Sequence, residues 1–439
     1  MRGPLVSFID GIMQNENRRN ILNIALPAMA ENFLQMLMGF VDNYLVAQVS
    51  LVAVSGVSLA NNLITVYQAL FIALGSAVSS LLARSLGKKD QLQSQKLMAD
   101  AITLTLVVSL ALGILTVLAK SWLLTLFGAE AQVVAVGGSY LSVVGGLVSS
   151  LAMMTSLGAI LRATGQTRIP MWVSLFANLL NGLMSASSVF LFHWGVVGVA
   201  WSTVLARLIG ILLLLYFLPV RIIISNMNFR MNLEILGLAM PSAGERLMMR
   251  LGDLLIMTII VSYGTSVYAG NAIGETISQF TYMPGMAVAT ATIIGVAGLL
   301  GKENPIEVNK YIKEAFMLST ILMLIFSILI YISGNWLSGQ FTTNVIAIKS
   351  SLVVLLFSLL GTPFTSGTLI YTAVWQGLGN AKIPFYATTL GMWIIRILGG
   401  FILGSVIGLG LSGVWIATVL DNMTRFLLLK SLYKKYKKL

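Results

Sequence analysis

The sequence predicts an all-α membrane protein of twelve transmembrane helices, arranged as two six-helix bundles related by a pseudo-twofold axis along the membrane normal. Three observations carry this expectation. The 439 residues are 57% hydrophobic and only 10% charged, with a mean hydropathy of +0.90, whereas soluble domains carry about 25% charged residues. Long apolar runs recur from Ile21 to Leu432. Finally, the chain repeats itself at an offset of 214 residues.

A span needs about 20 apolar residues to cross the hydrocarbon core. Taken in order, the runs are 20–47, 51–83, 97–119, 131–161, 169–192, 197–219, 234–262, 267–300, 311–332, 345–376, 384–406 and 411–429. The first is too long for a signal peptide, holds Glu31 and Asp42, and has no small-residue cleavage site behind a short apolar core, so it reads as a span. Pro27 in the first run and Pro241 in the seventh each remove a helical hydrogen bond. Each therefore either kinks its helix as a hinge or begins a straight one. His193, beside Trp194 after the fifth run, reads as an interfacial anchor. Residues 221–233, with Asn226, Asn228 and Asn232, form a polar linker between lobes 1–220 and 234–430, and 431–439 are a basic tail.

The basic residues orient the spans. Twenty of the 27 Lys and Arg fall at the termini and in the even-numbered loops: Arg2, Arg18 and Arg19 lead, Arg162, Arg168, Arg221 and Arg230 follow, and Lys430 to Lys438 close the chain. The odd-numbered loops hold only Lys120 and Lys349. Positive loops stay cytoplasmic, so both termini are expected there. The net charge of +12 is thus a topology signal with some attraction for anionic lipid headgroups, not a nucleic-acid footprint.

The repeat pairs Leu26-Pro27 with Met240-Pro241, Glu31 with Glu245, Gly56 with Gly270, Leu86-Gly87-Lys88 with Leu300-Gly301-Lys302 and Asp100 with Glu314. It also pairs Gly165…Pro170 with Gly379…Pro384 and, after one inserted residue, Thr203 with Thr418. Six spans per repeat is an even number, so the halves run parallel, as in transporters that hold cargo near the midplane and rock one half against the other.

Ala25-Leu26-Pro27 with Glu31 and Phe40-Val41-Asp42, the Gly87-Lys88-Lys89 loop, Leu161 to Pro170, Asn178-x-x-Asn181 and Gly198-Val199-Ala200 together resemble the MATE (multidrug and toxic compound extrusion) transporters, nearest their DinF-like branch. The resemblance spans residues 20 to about 430. It implies a bacterial inner-membrane antiporter that extrudes organic cations or other xenobiotics against inward H⁺ or Na⁺. No cofactor is expected beyond the coupling ion, and the protein is expected to act as a monomer among membrane lipids.

An ionised group at the bilayer centre costs several kcal/mol, about 3 on insertion scales, so each needs a reason. The acids within the runs are Glu31, Asp42, Glu245, Asp253, Glu275 and Asp421, and the bases are Arg207, Arg246, Arg250, Arg396 and Arg425. Asp42 is the candidate proton carrier: its helix has no base beyond Arg19, burial disfavours a carboxylate's charged form, and the family uses an acid there. The alternative is a hydrated, passive acid near a helix end. The resemblance places Asn178, Asn181, Ser185 and Thr203 in the same cavity, and Gln35, Met36 and Met154 are assigned to it as adaptable lining. Ordinary interhelical hydrogen bonding is the alternative for the polar members. Ser185 stands where the family often has a second acid, which weakens a Na⁺ site, since a hard cation prefers several oxygens with charge among them.

In the second half, Glu245, Arg246, Arg250 and Asp253 share one run. Arg250 and Asp253, at i,i+3, are expected to pair within the helix, and Glu245 to find Arg396 on another helix. This network either glues the lobe or forms a second cation site, with Glu275 at a cleft mouth or in solvent. Na⁺-type relatives carry an acid about eight residues after the proline and another in the tenth span; here Met249 takes the first position and the tenth span has none. A lipid-linked precursor flippase is the other transport reading, with Arg246, Arg250 and Arg396 holding a pyrophosphate. No cysteine, a single histidine and no Gly-Lys-Ser/Thr phosphate loop remove thiol chemistry, histidine-rich metal sites and ATP hydrolysis. An enzyme is not expected.

Overall fold

The computed structural model describes residues 15–126, 128, 130–227 and 232–437. Arg2, Asn228, Arg230 and Lys438 lie outside the described residues. Among the described residues the regular structure is helical. Twelve long helical segments follow the twelve apolar runs: Glu16–Ala47, Leu51–Gly87, Gln91–Leu126, a bent pair Ala131–Val144 and Ser149–Ala163, Arg168–Phe190, Gly195–Tyr216, Leu233–Val261, Thr265–Gly301, Pro305–Gly339, Val345–Gly377, Lys382–Val406 and Gly410–Tyr436. These are the first to twelfth spans. Nine are long and apolar enough to cross a membrane, and the fourth span, bent by 44° at its break, makes a tenth. The seventh and twelfth fall short in composition because they carry the Glu245–Asp253 charges and the Asp421, Arg425 and lysine series.

The repeat is written in the backbone as well. Left-handed residues Lys89 and Glu303, and Gly165 and Gly379, recur at the 214-residue offset, and Gly195 and Gly410 recur one residue later. At Gly165 and Gly379, with φ of 87° and 83°, the chain leaves one helix and turns into the next. Glycine is suited to that conformation because it has no Cβ.

The chain divides into two compact units: Ala30–Ala239, and the chain up to Met29 together with Met240 onward. The expected boundaries, 1–220 and 234–430, differ from these because the opening turns of the first and seventh spans each group with the other half of the sequence. Ile21, Ala25 and Ala28 form a helical stripe, each at most 7% exposed, in a core with Val288, Ala291, Tyr311, Ile370 and Trp375. Beyond Met29 the helix lies in the other unit, where Val46 packs with Val57, Ala60, Tyr140 and Val199. Pro27 sits eleven residues into its helix and Pro241 eight into its own, so neither merely begins a helix. Pro284 and Pro363 also lie inside spans.

Lipid offers little hydrophobic drive for helix association, so close backbone approach matters. In the first unit the second and fourth spans meet at Gly56 and Gly137, and in the second unit Gly270 of the eighth span lies against the Ala347 carbonyl of the tenth.

Candidate functional site

The N-terminal unit gathers a polar cluster from four spans. Asn181 Nδ2, on the fifth span, donates to both carboxylate oxygens of Asp42 on the first, each at 3.3 Å. Asn181 Oδ1 in turn accepts from Ser185 Oγ at 3.2 Å, one turn along the same helix, and from Thr203 Oγ1 at 3.3 Å on the sixth span. Tyr140 of the fourth span hydrogen-bonds to Thr203. Asn181, Ser185, Thr203 and Tyr140 are buried, and Asp42 is half-buried. Residues four apart on a helix share a face, which aligns Asn181 with Ser185 on the fifth span.

The predicted cavity set divides. Asp42, Asn181, Ser185 and Thr203 come together. Asn178 does not join them and donates at 3.5 Å to Ser174 of its own helix. Gln35 is exposed and Met36 half-buried. Met154 packs against Gly210 on the sixth span. A base does come near Asp42, but from another helix. Arg207, one turn beyond Thr203, lies within electrostatic reach of both Asp42 and Tyr140, and its Nη1 is buried with no hydrogen-bond partner. Its spacing from Thr203 was the available signal, and Tyr140 gave none.

In the second unit the charges pair differently from expectation. Asp253 is ion-paired with Arg396 Nη1 at 3.3 Å and not with Arg250, whose side chain is exposed. Arg396 stands in a π-helical stretch, Gly391–Leu398; such turns often mark functional or strained positions. Engaged there, Arg396 is not the partner of Glu245. Glu245 is buried and accepts from Thr388 Oγ1 at 3.1 Å and from Gln376, with Arg246 and Arg425 as charged neighbours. Glu275 hydrogen-bonds with Asn271 and shares the field of Arg396 and Asp253, so it belongs to this network. Sequence reading also missed a buried pair, Arg425 Nη2 to Asp421 Oδ2 at 2.8 Å. Its i,i+4 spacing, acid first, is the favourable order on a helix.

Twelve helical segments that carry charged and amide groups inside their bundles define a multi-pass membrane protein. The MatE family profile matches residues 27–187 and 241–402. The chain belongs to that family. It is 28% identical over 426 residues to the "Probable multidrug resistance protein NorM" of Thermotoga maritima, covering 93% of this chain and 90% of that protein. It is 26% identical to the "Uncharacterized transporter YisQ" of Bacillus subtilis, covering 93% and 92%. The crystal structure of MATE in the straight conformation shares the fold, with a TM-score of 0.89 over 98% of both chains at 21% identity.

Proposed function

We propose that this chain exports small organic cations and other xenobiotics in exchange for H⁺ by alternating access, with Asp42 carrying the proton. The name of the Thermotoga maritima relative supports the substrate class. The observation that carries the coupling reading is the Asn181 amide nitrogen facing both oxygens of Asp42. That group is a donor, suited to a carboxylate that gains and loses a proton. A bound Na⁺ would instead need oxygens turned inward, and Asn181 Oδ1 is already engaged by two hydroxyls. Pro27 and Pro241 serve as the flexible points where each helix passes between units. We place the protein in the bacterial inner membrane as a monomer with cytoplasmic termini, in line with the distribution of Lys and Arg. The flippase reading, which rests on Arg246, Arg250 and Arg396, loses support because Arg396 is held by Asp253.

Reconstitution tests this. In proteoliposomes with an imposed pH gradient, adding an organic cation should dissipate the gradient without Na⁺, and Asp42→Asn should abolish the effect. Proton flux in Asp42→Asn equal to wild type would remove Asp42 from the role, and a strict Na⁺ requirement would remove proton coupling.

A further inference from the structure

Lys313 and Lys430 form a basic pair in the second unit that the export reading leaves without a task. The ninth and twelfth spans meet there through side chains at two points. Tyr433 Oη donates to Asn309 Oδ1 at 2.9 Å, and the Phe316 and Phe426 rings stack with centroids 5.4 Å apart. The two contacts ascend one helix and descend the other, so the spans run antiparallel. Lys313 lies four residues after Asn309 and three before Phe316, and Lys430 lies four after Phe426 and three before Tyr433. Each lysine therefore shares the face that its helix turns to the other. Lys430 Nζ stands over both rings, 5.0 Å from the centre of Phe426 and 5.9 Å from that of Phe316. Tyr371 of the tenth span packs against both rings and against Tyr433, closing the groove beneath.

Two ammonium groups on facing stripes repel each other unless an anion joins them. No ion pair among the described residues includes either lysine, and the nearby acids of the ninth span are taken: Glu314 by Arg18, and Glu307 by Lys310 and Asn17. Lys313 is exposed and Lys430 half-buried, so both can reach a ligand. Their level says which kind. Lys313 lies at the start of the apolar run 311–332 and Lys430 just past the end of 411–429, where the hydrocarbon core gives way to headgroups. Toward the core, Ile321 on the ninth span and Leu420 and Leu427 on the twelfth are exposed apolar side chains. Topology does not demand this pair, because the repeat places Ala99 and Leu215 at the equivalent positions of the first half.

We propose that Lys313 and Lys430 clasp the phosphodiester of an anionic phospholipid, seated in the groove between the ninth and twelfth spans with its acyl chains along Ile321, Leu420 and Leu427. Each ammonium offers three donors, and the rings behind Lys430 shield one side of its charge from water, which strengthens its pull on an anion. Phosphatidylcholine brings its own cation to the phosphate and gains less from the two lysines. A soluble anion would use the lysines but not the apolar strips. The site needs neither Asp42 nor proton coupling, so it stands or falls apart from the proposed transport activity.

Native mass spectrometry of the purified full chain tests this, with phosphatidylglycerol and phosphatidylcholine of the same acyl chains at equal concentration and inorganic phosphate added. The adduct mass identifies what is bound. Wild type should retain one phosphatidylglycerol with at least about tenfold preference over phosphatidylcholine. Lys313→Gln and Lys430→Gln should each weaken that binding about fivefold, the effect of one lysine near an anionic headgroup, and the double variant should lose the preference. Lys88→Gln with Lys96→Gln removes the same charge from the first half and should leave retention unchanged. Lys313 is exposed, so its variant supplies the readout if Lys430→Gln does not fold. Equal retention of the two lipids by wild type, adducts of inorganic phosphate in place of lipid, unchanged retention in Lys313→Gln, or an equal loss in the Lys88 and Lys96 control overturns the proposal.

Discussion

Glu31 and Arg162 are ion-paired at 2.9 Å in the N-terminal unit, and the residues 214 further on, Glu245 and Gln376, are hydrogen-bonded in the other unit. The repeat has kept the contact and exchanged a guanidinium for an amide. Both members of the first pair are less than a fifth exposed. Arg162→Ala strands the Glu31 carboxylate and should lower stability by about 1.5–3 kcal/mol. Arg162→Gln should recover at least half of that loss, because its repeat equivalent already works as Gln. Thermal unfolding in detergent decides: equal losses for the two variants would mean the contact is not preserved by an amide.

The segments that lead into each half are tied down in a matched way. Arg18 Nε donates to Glu314 Oε2 at 2.6 Å and Asn15 to Oε1 at 3.2 Å, while Asn232 donates to Asp100 Oδ2 at 2.7 Å. Arg18 and Asn232 are 214 apart, as are Asp100 and Glu314. Asp100 is 5% exposed, so Asp100→Ala should cost about 2 kcal/mol through the Asn232 amide left without its acceptor. The Arg18–Glu314 pair is more open, and Arg18→Ala should cost no more than about 1 kcal/mol. Unfolding midpoints with the reverse ranking would show that the linker is held by something other than Asp100.

Much of this was legible beforehand for definable reasons. Apolar run length located all twelve spans because the bilayer sets helix length. The deviations at span ends, such as Gln91 against 97 and Gly339 against 332, arise where polar turns continue the helix beyond the apolar run. Asp42, Asn181, Ser185 and Thr203 were grouped through the family resemblance, which also pointed to Asn178, a residue bonded instead to Ser174. Pairings between helices were not legible. Asp253 prefers Arg396 to Arg250, and Glu245 prefers Thr388 to Arg396, because partner choice across helices depends on rotation and on the π-helical register of the eleventh span. Arg207 stood among the bases inside the runs but was not tied to Asp42, because one base on an apolar helix carries no pattern; only its position one turn after Thr203 links it to the site.

Asp421 and Arg425 form the most deeply buried ion pair described, at 0% and 4% side-chain exposure. Arg425 Nη1 also reaches Thr388 Oγ1 at 3.4 Å, and Thr388 bonds Glu245. Removing one partner from such a pair is expected to cost about 3–5 kcal/mol, because the other charge stays buried. Asp421→Ala should therefore be expressed poorly or unfold early. Replacing both, Asp421→Leu with Arg425→Met, should restore most of the stability, since apolar pairs of similar volume often equal a buried salt bridge. A double variant as unstable as the single one would show that Arg425 is needed chiefly for Glu245.

Gly56 and Gly270 are repeat equivalents that meet backbone rather than yielding side chains. A Cβ on Gly56 would lie 2.7 Å from the Gly137 nitrogen and 3.0 Å from its Cα. One on Gly270 would strike the Ala347 carbonyl and come within 2.6 Å of Ser350 Cβ. The helix crossing must open to admit either methyl. Gly56→Ala and Gly270→Ala should each destabilise by about 1–3 kcal/mol, the usual range for overpacking. Gly39 and Gly237 have nothing within 4 Å of the same position, and alanine there should be neutral or stabilise by up to about 1 kcal/mol through helix propensity. Melting temperatures of the four variants check the contrast. If Gly56→Ala melts with Gly39→Ala, the second and fourth spans are not held at glycine distance, and the crossing described for the first unit is wrong.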